Sequence, residues 1–245
     1  MKREKITYIF NSGFIYEDSK NVFIFDFYRD SSRDENIVKN YLNEVSKDKK
    51  IVVFVSHGHH DHYSKDIFKW RELRENITYV ISNDVTEAYD FRDERTKFIG
   101  RDESIFIYSG VTVHSFGSTD IGVSFLIDTG DKILFHGGDL NWWDWGDEDN
   151  EEESAFMEKS YKSIVKDIKT YLKSKTLNLA FFPVDPRLEE RAYKGALYFI
   201  DEIAPEKIVP MHFGDYFQIC GQLKVLCEDK KTVVAEIKPD GKVEF

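Results

Sequence analysis

Residues 51–62, IVVFVSHGHHDH, decide how this chain is read. The first five form an almost wholly apolar run, of the kind that makes a strand buried on both faces. Four of the chain's seven histidines, with an aspartate among them, follow at once. A strand's carboxyl end is where α/β proteins commonly build sites, because a rigid strand fixes the first side chain while the loop wraps the others around a centre. His57 and His59, two apart, converge on one ion if the loop curls. Asp61 and His62 are adjacent, so their side chains diverge from the first pair and can serve a second centre. Imidazole nitrogen with carboxylate oxygen suits zinc, or iron or manganese, better than the all-oxygen ions calcium and magnesium. The plain alternative is a surface loop that happens to be histidine-rich, and the buried strand before it argues against that.

Composition sets the outer limits. At 245 residues the chain can bury a sizeable core, and with 5 Pro and no Ser/Gly-rich run no linker stands out. One domain over residues 1–245 is expected. The 45 Asp and Glu against 34 Lys and Arg give a formal charge of -11, which argues against electrostatic docking on nucleic acid or anionic lipid. The start, MKREKITYIF, is basic but runs into Asn11 and Ser12, so no apolar stretch of signal-peptide or membrane-spanning length follows, and a cytoplasmic location is expected. Cys220 and Cys227, seven apart in one expected helix, read as reduced, partly buried thiols. The sequence leaves the oligomeric state open.

Short apolar runs predict strands over residues 6–10, 21–26, 51–55, 78–81, 105–108, 111–116, 123–128, 132–136, 178–182, 207–210, 232–237 and 242–245. Helices are predicted where Ile37, Val38, Tyr41, Leu42 and Val45 recur, with a lysine-rich stretch at the carboxyl end. A longer stripe runs from Phe156 through Tyr161, Ile164 and Ile168 to Leu172, with Asn150 as N-cap and Glu151, Glu152 and Glu153 in its first turn. Leu197, Ile200 and Ile203 mark a third helix, stopped by Pro205.

The pattern H-x-H-x-D-H after a buried strand, here His57 to His62, resembles the metallo-β-lactamase superfamily of metallohydrolases. KITYIFNSGFIYEDSKNVFIFDFY resembles that family's opening hairpin, KILFHGGDL its strand ending in Gly-Asp, and KIVPMHF its late strand ending in histidine. The likeness runs from about Ile6 to His212. It implies an α/β (α+β) fold, a four-layer αββα sandwich with the metal site at one edge between the sheets. It also implies His57 and His59 on a first metal, Asp61, His62 and His212 on a second, and Asp139 bridging them. The cofactor implied is zinc, one or two ions per chain, with iron or manganese as alternatives.

One position departs from the family's pattern. Where the family usually supplies a third histidine to the first metal, this chain reads FGSTDIGVSF, with Ser118 at the aligned position. Serine is a poor zinc ligand. Asp120, in the loop, is the foremost substitute; His114, four residues before Ser118, ranks next and His136 last. His60 is expected in the loop or behind the ligands.

The compact form is most similar to the lactonase and phosphodiesterase branch of the superfamily. That likeness implies hydrolysis of a small ester, lactone or phosphodiester by a metal-activated water, with Asp61 as the catalytic residue that orients the water and shuttles its proton. The LNWWDWGD cluster offers Trp142, Trp143 and Trp145 as flat substrate walls, with loop packing as the other reading. Asp185 and Arg187 begin a loop at a strand end. Arg187 is a candidate for a substrate carboxylate or phosphate, a salt bridge within the Asp-Pro-Arg turn being the plainer outcome. The expected partner is a small molecule, with neither nucleic acid nor membrane. The missing histidine also motivates an alternative, a metal-binding or ligand-sensing protein of the same fold with impaired catalysis.

Overall fold

A computed structural model of the chain describes residues 4–30 and 36–245, so the basic start at residues 1–3 lies outside the described residues. Two sheets carry the fold. The first holds β1 (Lys5–Phe10), β2 (Gly13–Glu17), β3 (Asn21–Phe25), β4 (Lys50–Val55), β5 (Ile77–Ser82) and β6 (Thr96–Ile99), neighbours in that order. β1 to β3 are antiparallel hairpins, and β3 to β6 run parallel. The second holds β7 (Ser104–Tyr108), β8 (Val111–Gly117), β9 (Val123–Asp128), β10 (Ile133–His136), β11 (Leu179–Pro183), β12 (Lys207–Met211) and β13 (Val233–Val234). Here β7 to β10 form an antiparallel meander, and β10 to β13 run parallel.

Parallel pairing needs a crossover for every strand, which returns the chain to the same end each time. The segments after β3 and β4 therefore leave from one edge of the first sheet, and those after β10, β11 and β12 from one edge of the second. The backbone N–H of Val123, where β9 begins, donates to Ser56 O just past β4 at 3.0 Å, and His212 N donates to Asn11 O at 3.1 Å, so the two edges meet.

Alternation along the buried strands sorts the layers. Val22, Ile24, Ile51, Val53 and Val55 pack on α1 (Ile37–Glu44) and on short 3₁₀ helices at Lys65–Glu72 and Thr86–Phe91. Phe23, Phe25, Val52 and Phe54 point the other way, into the space between the sheets. There the Phe54 ring lies 5.2 Å from Phe125, and Phe14 lies 4.9 Å from Phe181. The outer face of the second sheet is covered by α2 (Glu151–Leu172) and α3 (Lys194–Ile203), with Phe182 4.5 Å from Phe199. This is the expected four-layer αββα order. α4 (Gln218–Leu226) and the small pair β14 (Glu236–Ile237) and β15 (Val243–Glu244) close one end. Among the described residues no helix is long and apolar enough to cross a membrane.

Several expectations need correction. β2 and β6 are strands that periodicity passed over, and residues 232–237 break into β13 and β14 instead of one strand. The lysines expected to close α1 lie beyond it: the helix stops before an extended Val45, and Lys49 reaches Glu17 instead. The N-cap of α2 is as expected, Asn150 Oδ1 accepting from Glu152 N and Glu153 N while Glu153 Oε2 accepts from Asn150 N. Cys220 lies in α4, Cys227 one residue past its end, and both are free thiols.

The closest approach of the two edges depends on Gly122. Its φ is +74°, and a Cβ there would sit 2.2 Å from Ser56 O and 2.4 Å from His57 Cβ. Gly122→Ala is therefore expected to lower stability by about 3 kcal/mol, from left-handed strain plus overpacking. A urea midpoint unchanged from the unaltered protein would show that the sheets are not pinned together there.

Candidate metal centre

The edge where the sheets meet gathers two groups of donors. His57, His59, Asp120 and Asp139 form one, and Asp61, His62 and His212 the other, with one donor atom of each residue within 4.8 Å of those of its group. His57 and His59 leave β4 together, their Nε2 and Nδ1 3.1 Å apart. The loop then turns tightly, the N–H groups of His62 and Tyr63 both donating to His59 O, which sends His62 back beneath it. Asp139 stands between the groups. Its Oδ2 is 3.6 Å from His57 Nε2, while its Oδ1 is 3.1 Å from His62 Nε2 and 3.4 Å from His212 Nε2. Asp61 Oδ2 lies 3.5 Å from His212 Nε2 and 3.7 Å from His62 Nε2. Asp120 Oδ2 is 3.4 Å from His59 Nδ1.

The fixed ends of these side chains are tied down by residues that sequence reading gave no such role. Asp26, wholly buried one residue past β3, accepts from His62 Nδ1 at 2.8 Å, from Ser56 N at 2.8 Å and from Ser56 Oγ at 2.6 Å. Ser56 Oγ in turn lies 3.0 Å from His57 Nδ1. Asp185 Oδ2 accepts from His212 Nδ1 at 3.0 Å, and Asn11 Nδ2 donates to Asp61 Oδ2 at 3.2 Å. With Nδ1 committed to a carboxylate, His62 and His212 each turn Nε2 toward Asp139. The signal that marks Asp26 is a lone carboxylate closing the apolar run NVFIF, beside β4 in the parallel register. Asn11, Asp26 and His212 have φ of 53°, 39° and 66°, a left-handed cluster of non-glycine residues held by these bonds.

The arrangement fits cations. His62 Nε2, Asp139 Oδ1 and His212 Nε2 are buried without a hydrogen-bond partner, although they approach one another within 3.4 Å. Buried polar atoms are rarely left so, and convergent imidazole and carboxylate donors with the opposite ends anchored are what zinc, iron or manganese sites use.

Above the donors opens a cavity of about 570 Å³ whose walls include His60, Asp61, Asp120, Trp143, Trp145 and Arg187. Other expected residues stand elsewhere. His114 stacks on Tyr171 at 4.1 Å with Nδ1 2.7 Å from Ser104 Oγ, and His136 stacks on Phe25 at 4.7 Å in the core; neither joins a donor group. Trp142, offered both as a substrate wall and as loop packing, takes the packing role. Its ring packs against Tyr161 and Tyr198 beneath Lys194, because α2 and α3 cover it. Arg187 forms the Asp185 salt bridge, the plainer of its two readings, and its side chain lines the cavity.

These features define the metallo-β-lactamase fold. Igni18, a metallo hydrolase from the archaeon Ignicoccus hospitalis, matches with a TM-score of 0.68 at 15% identity over 99% of each chain. The metallo-β-lactamase fold protein YhfI from Bacillus subtilis matches at 0.61 and 14% identity, over 99% of this chain and 100% of its own. CmlA, a diiron β-hydroxylase from Streptomyces venezuelae, matches at 0.63 and 9% identity over 96% of this chain; the chain spans about half of CmlA, 53% of its length. No family model matches the sequence, and no curated protein matches it.

Crowding shifts the titration of these groups. Burial disfavours the His62 imidazolium, but the charge of Asp139, the contact with it and the bond to Asp26 outweigh that and raise its pKa to about 9. Burial and the neighbouring His62 hold His57 down at about 4. Asp139 lies well below the usual carboxylate range because His212 and His62 outweigh its burial, whereas burial and then the charge of Asp139 raise Asp120. The signs decide the pH windows. His62, raised, adds stability that is full below its unfolded value near 6.5 and lost as pH rises through about 9; His57, lowered, costs stability as pH falls from 6.5 toward about 4. In chelator-treated protein, His62 ring resonances are expected to titrate near pH 9, and at lower pH in Asp139→Asn, which removes the largest contribution that raises them. A midpoint at 6.5 in both proteins would dissolve the assigned coupling.

Proposed function

We propose that the protein is a metal-dependent hydrolase of a small ester, lactone or phosphodiester. The first ion would be held by His57, His59, Asp120 and Asp139, the second by Asp61, His62, His212 and Asp139, with zinc, iron or manganese as the metal. The observation that carries this reading is Asp139, which turns one carboxylate oxygen to each donor group. The likeness of the fold to Igni18, a metallo hydrolase, supports it. Asp120 takes the place that Ser118 leaves short. Each ion then has two imidazoles and two carboxylates.

The chemistry such ions supply is Lewis acidity, which draws the pKa of water toward ~7 and polarises a carbonyl or phosphoryl oxygen. The chain's own residues do the rest. Asp61, at the cavity wall and 28% exposed against 7% for Asp139, is placed to accept a hydrogen bond from water and orient it. Its carboxylate, held low by His212 and His62 against the effect of burial, stays ionised at neutral pH and so keeps accepting that hydrogen bond. Asn11 keeps Asp61 in that position.

A second reading, a metal-binding or ligand-sensing protein with slow chemistry, is favoured by one observation. His59 and Asp120 are 44% and 39% exposed, so the first donor group is the open one.

Elemental analysis of tag-free protein, with turnover on an ester, lactone and phosphodiester panel, separates the readings. Two ions per chain are expected, one of them lost in Asp120→Ala and both kept in His114→Ala. Asp61→Asn is expected to fold and to lose turnover by about 10² or more. A single ion that persists in Asp120→Ala, with no turnover above the Asp61→Asn background, would favour sensing.

A further inference from the structure

We infer that the substrate is an aromatic or similarly flat anion, its carboxylate or phosphate held by Arg187 and its ring by Trp143 and Trp145. The inference rests on the proposed hydrolase reading and narrows its substrate class.

Arg187 is built as a receptor. Asp185 Oδ1 accepts from Arg187 N at 2.9 Å and Nε at 3.0 Å, and Asp185 Oδ2 accepts from Nε at 2.9 Å and Nη2 at 2.5 Å. That uses one edge of the planar guanidinium and freezes its orientation. Nη1 has no protein partner among the described residues, and the side chain is 62% exposed on the cavity wall, so the second edge is open to a bidentate anion. Asp185 also accepts from His212 Nδ1, so the open edge lies one carboxylate away from the donor cluster. An anion bound there belongs to a molecule that reaches the centre.

The neighbouring wall is aromatic and equally fixed. Trp143 and Trp145 are parallel within 7° at 6.1 Å, and the Arg187 guanidinium lies 5.7 Å from the Trp145 ring. Trp143 Nε1 donates to Asp139 O at 3.1 Å, which ties this wall to the central carboxylate. A flat group can lie against the Trp145 ring and the part of Trp143 that reaches the cavity, Trp143 being only 7% exposed, with its anion toward Arg187.

Calorimetry on the zinc-loaded full chain tests this with three probes, 1-naphthoate, 1-naphthylphosphonate and the uncharged 1-naphthalenemethanol. At least one anion is expected to bind about ten- to a hundredfold tighter than the alcohol, and which one does so separates carboxylate from phosphate recognition. Arg187→Gln should remove that advantage. Arg187→Lys, which keeps a charge beside Asp185 without the fork, should remove only part of it, and Trp145→Leu should weaken all three probes. Equal binding of naphthoate and naphthylphosphonate to Arg187→Gln and to the unaltered protein, or equal binding of all three probes to the latter, would overturn the inference. Turnover on the panel keeps the failures apart: Arg187-dependent binding without hydrolysis sinks only the hydrolase reading, and hydrolysis with indifference to Arg187 sinks only this one.

Discussion

The buried carboxylate of Asp26 is the constraint on which the rest of the centre depends. It sits where β3 ends, and the parallel register places it beside Ser56, where β4 ends. One oxygen takes the Ser56 backbone N–H, and the other takes the Ser56 hydroxyl and the His62 ring. A single side chain thus orients His62 directly and His57 through one hydroxyl. A fully buried carboxylate is costly unless its lone pairs are filled, and here three donors fill them. The same bonds that make Asp26 tolerable fix the direction of two imidazoles.

How much of this the sequence revealed follows from where the information lies. His57 to His62, Asp139 and His212 stand in local patterns, each at the end of an apolar run, and the edge at which they gather follows from parallel strands. Asp120 was legible because it is the oxygen donor in the loop around Ser118, and the structure puts it 3.4 Å from His59. Asp26 was not, since a single aspartate after a strand reads as a turn until its neighbour strand is known. β6 and β2 were not legible either: TKFI has only two apolar residues in a row, and GFIYE opens on a glycine and closes on an acid. The tryptophans left two readings open. Trp142 and Trp143 are adjacent in an irregular segment, and no period tells which faces α2 and which the cavity. Only the bond from Trp143 Nε1 to Asp139 O settles it.

The two donor groups are unequal. His62 and His212 are buried with anchored Nδ1 atoms, while His59 and Asp120 are exposed and held by their loops. Gly58 N donates to Asp84 Oδ2, and the Thr119 hydroxyl to Asn141 O, so the loops themselves are braced. An exposed carboxylate is well hydrated before it binds anything, and it surrenders that water to a cation less readily than a buried one. The first donor group would therefore hold a cation less firmly than the second, whose imidazoles the fold anchors.

The aromatic wall and the donor cluster meet at Asp139. Its side chain faces both donor groups, and its backbone carbonyl accepts from Trp143 Nε1. Gly137 and Gly138 make that possible: at Gly138, φ is +52° and a Cβ would lie 2.8 Å from Ser56 Cβ, so only glycine lets the chain turn there against the end of β4. Beyond the turn the chain is fixed again, because Asn141 N donates to the Thr119 hydroxyl in the loop that carries Asp120. A flat ligand lying on Trp143 thus rests on the same few residues that place the central carboxylate. Movement of the wall against the donors would have to break the Trp143–Asp139 bond or the Thr119–Asn141 bond, so the aromatic wall and the donor groups are held together by one turn.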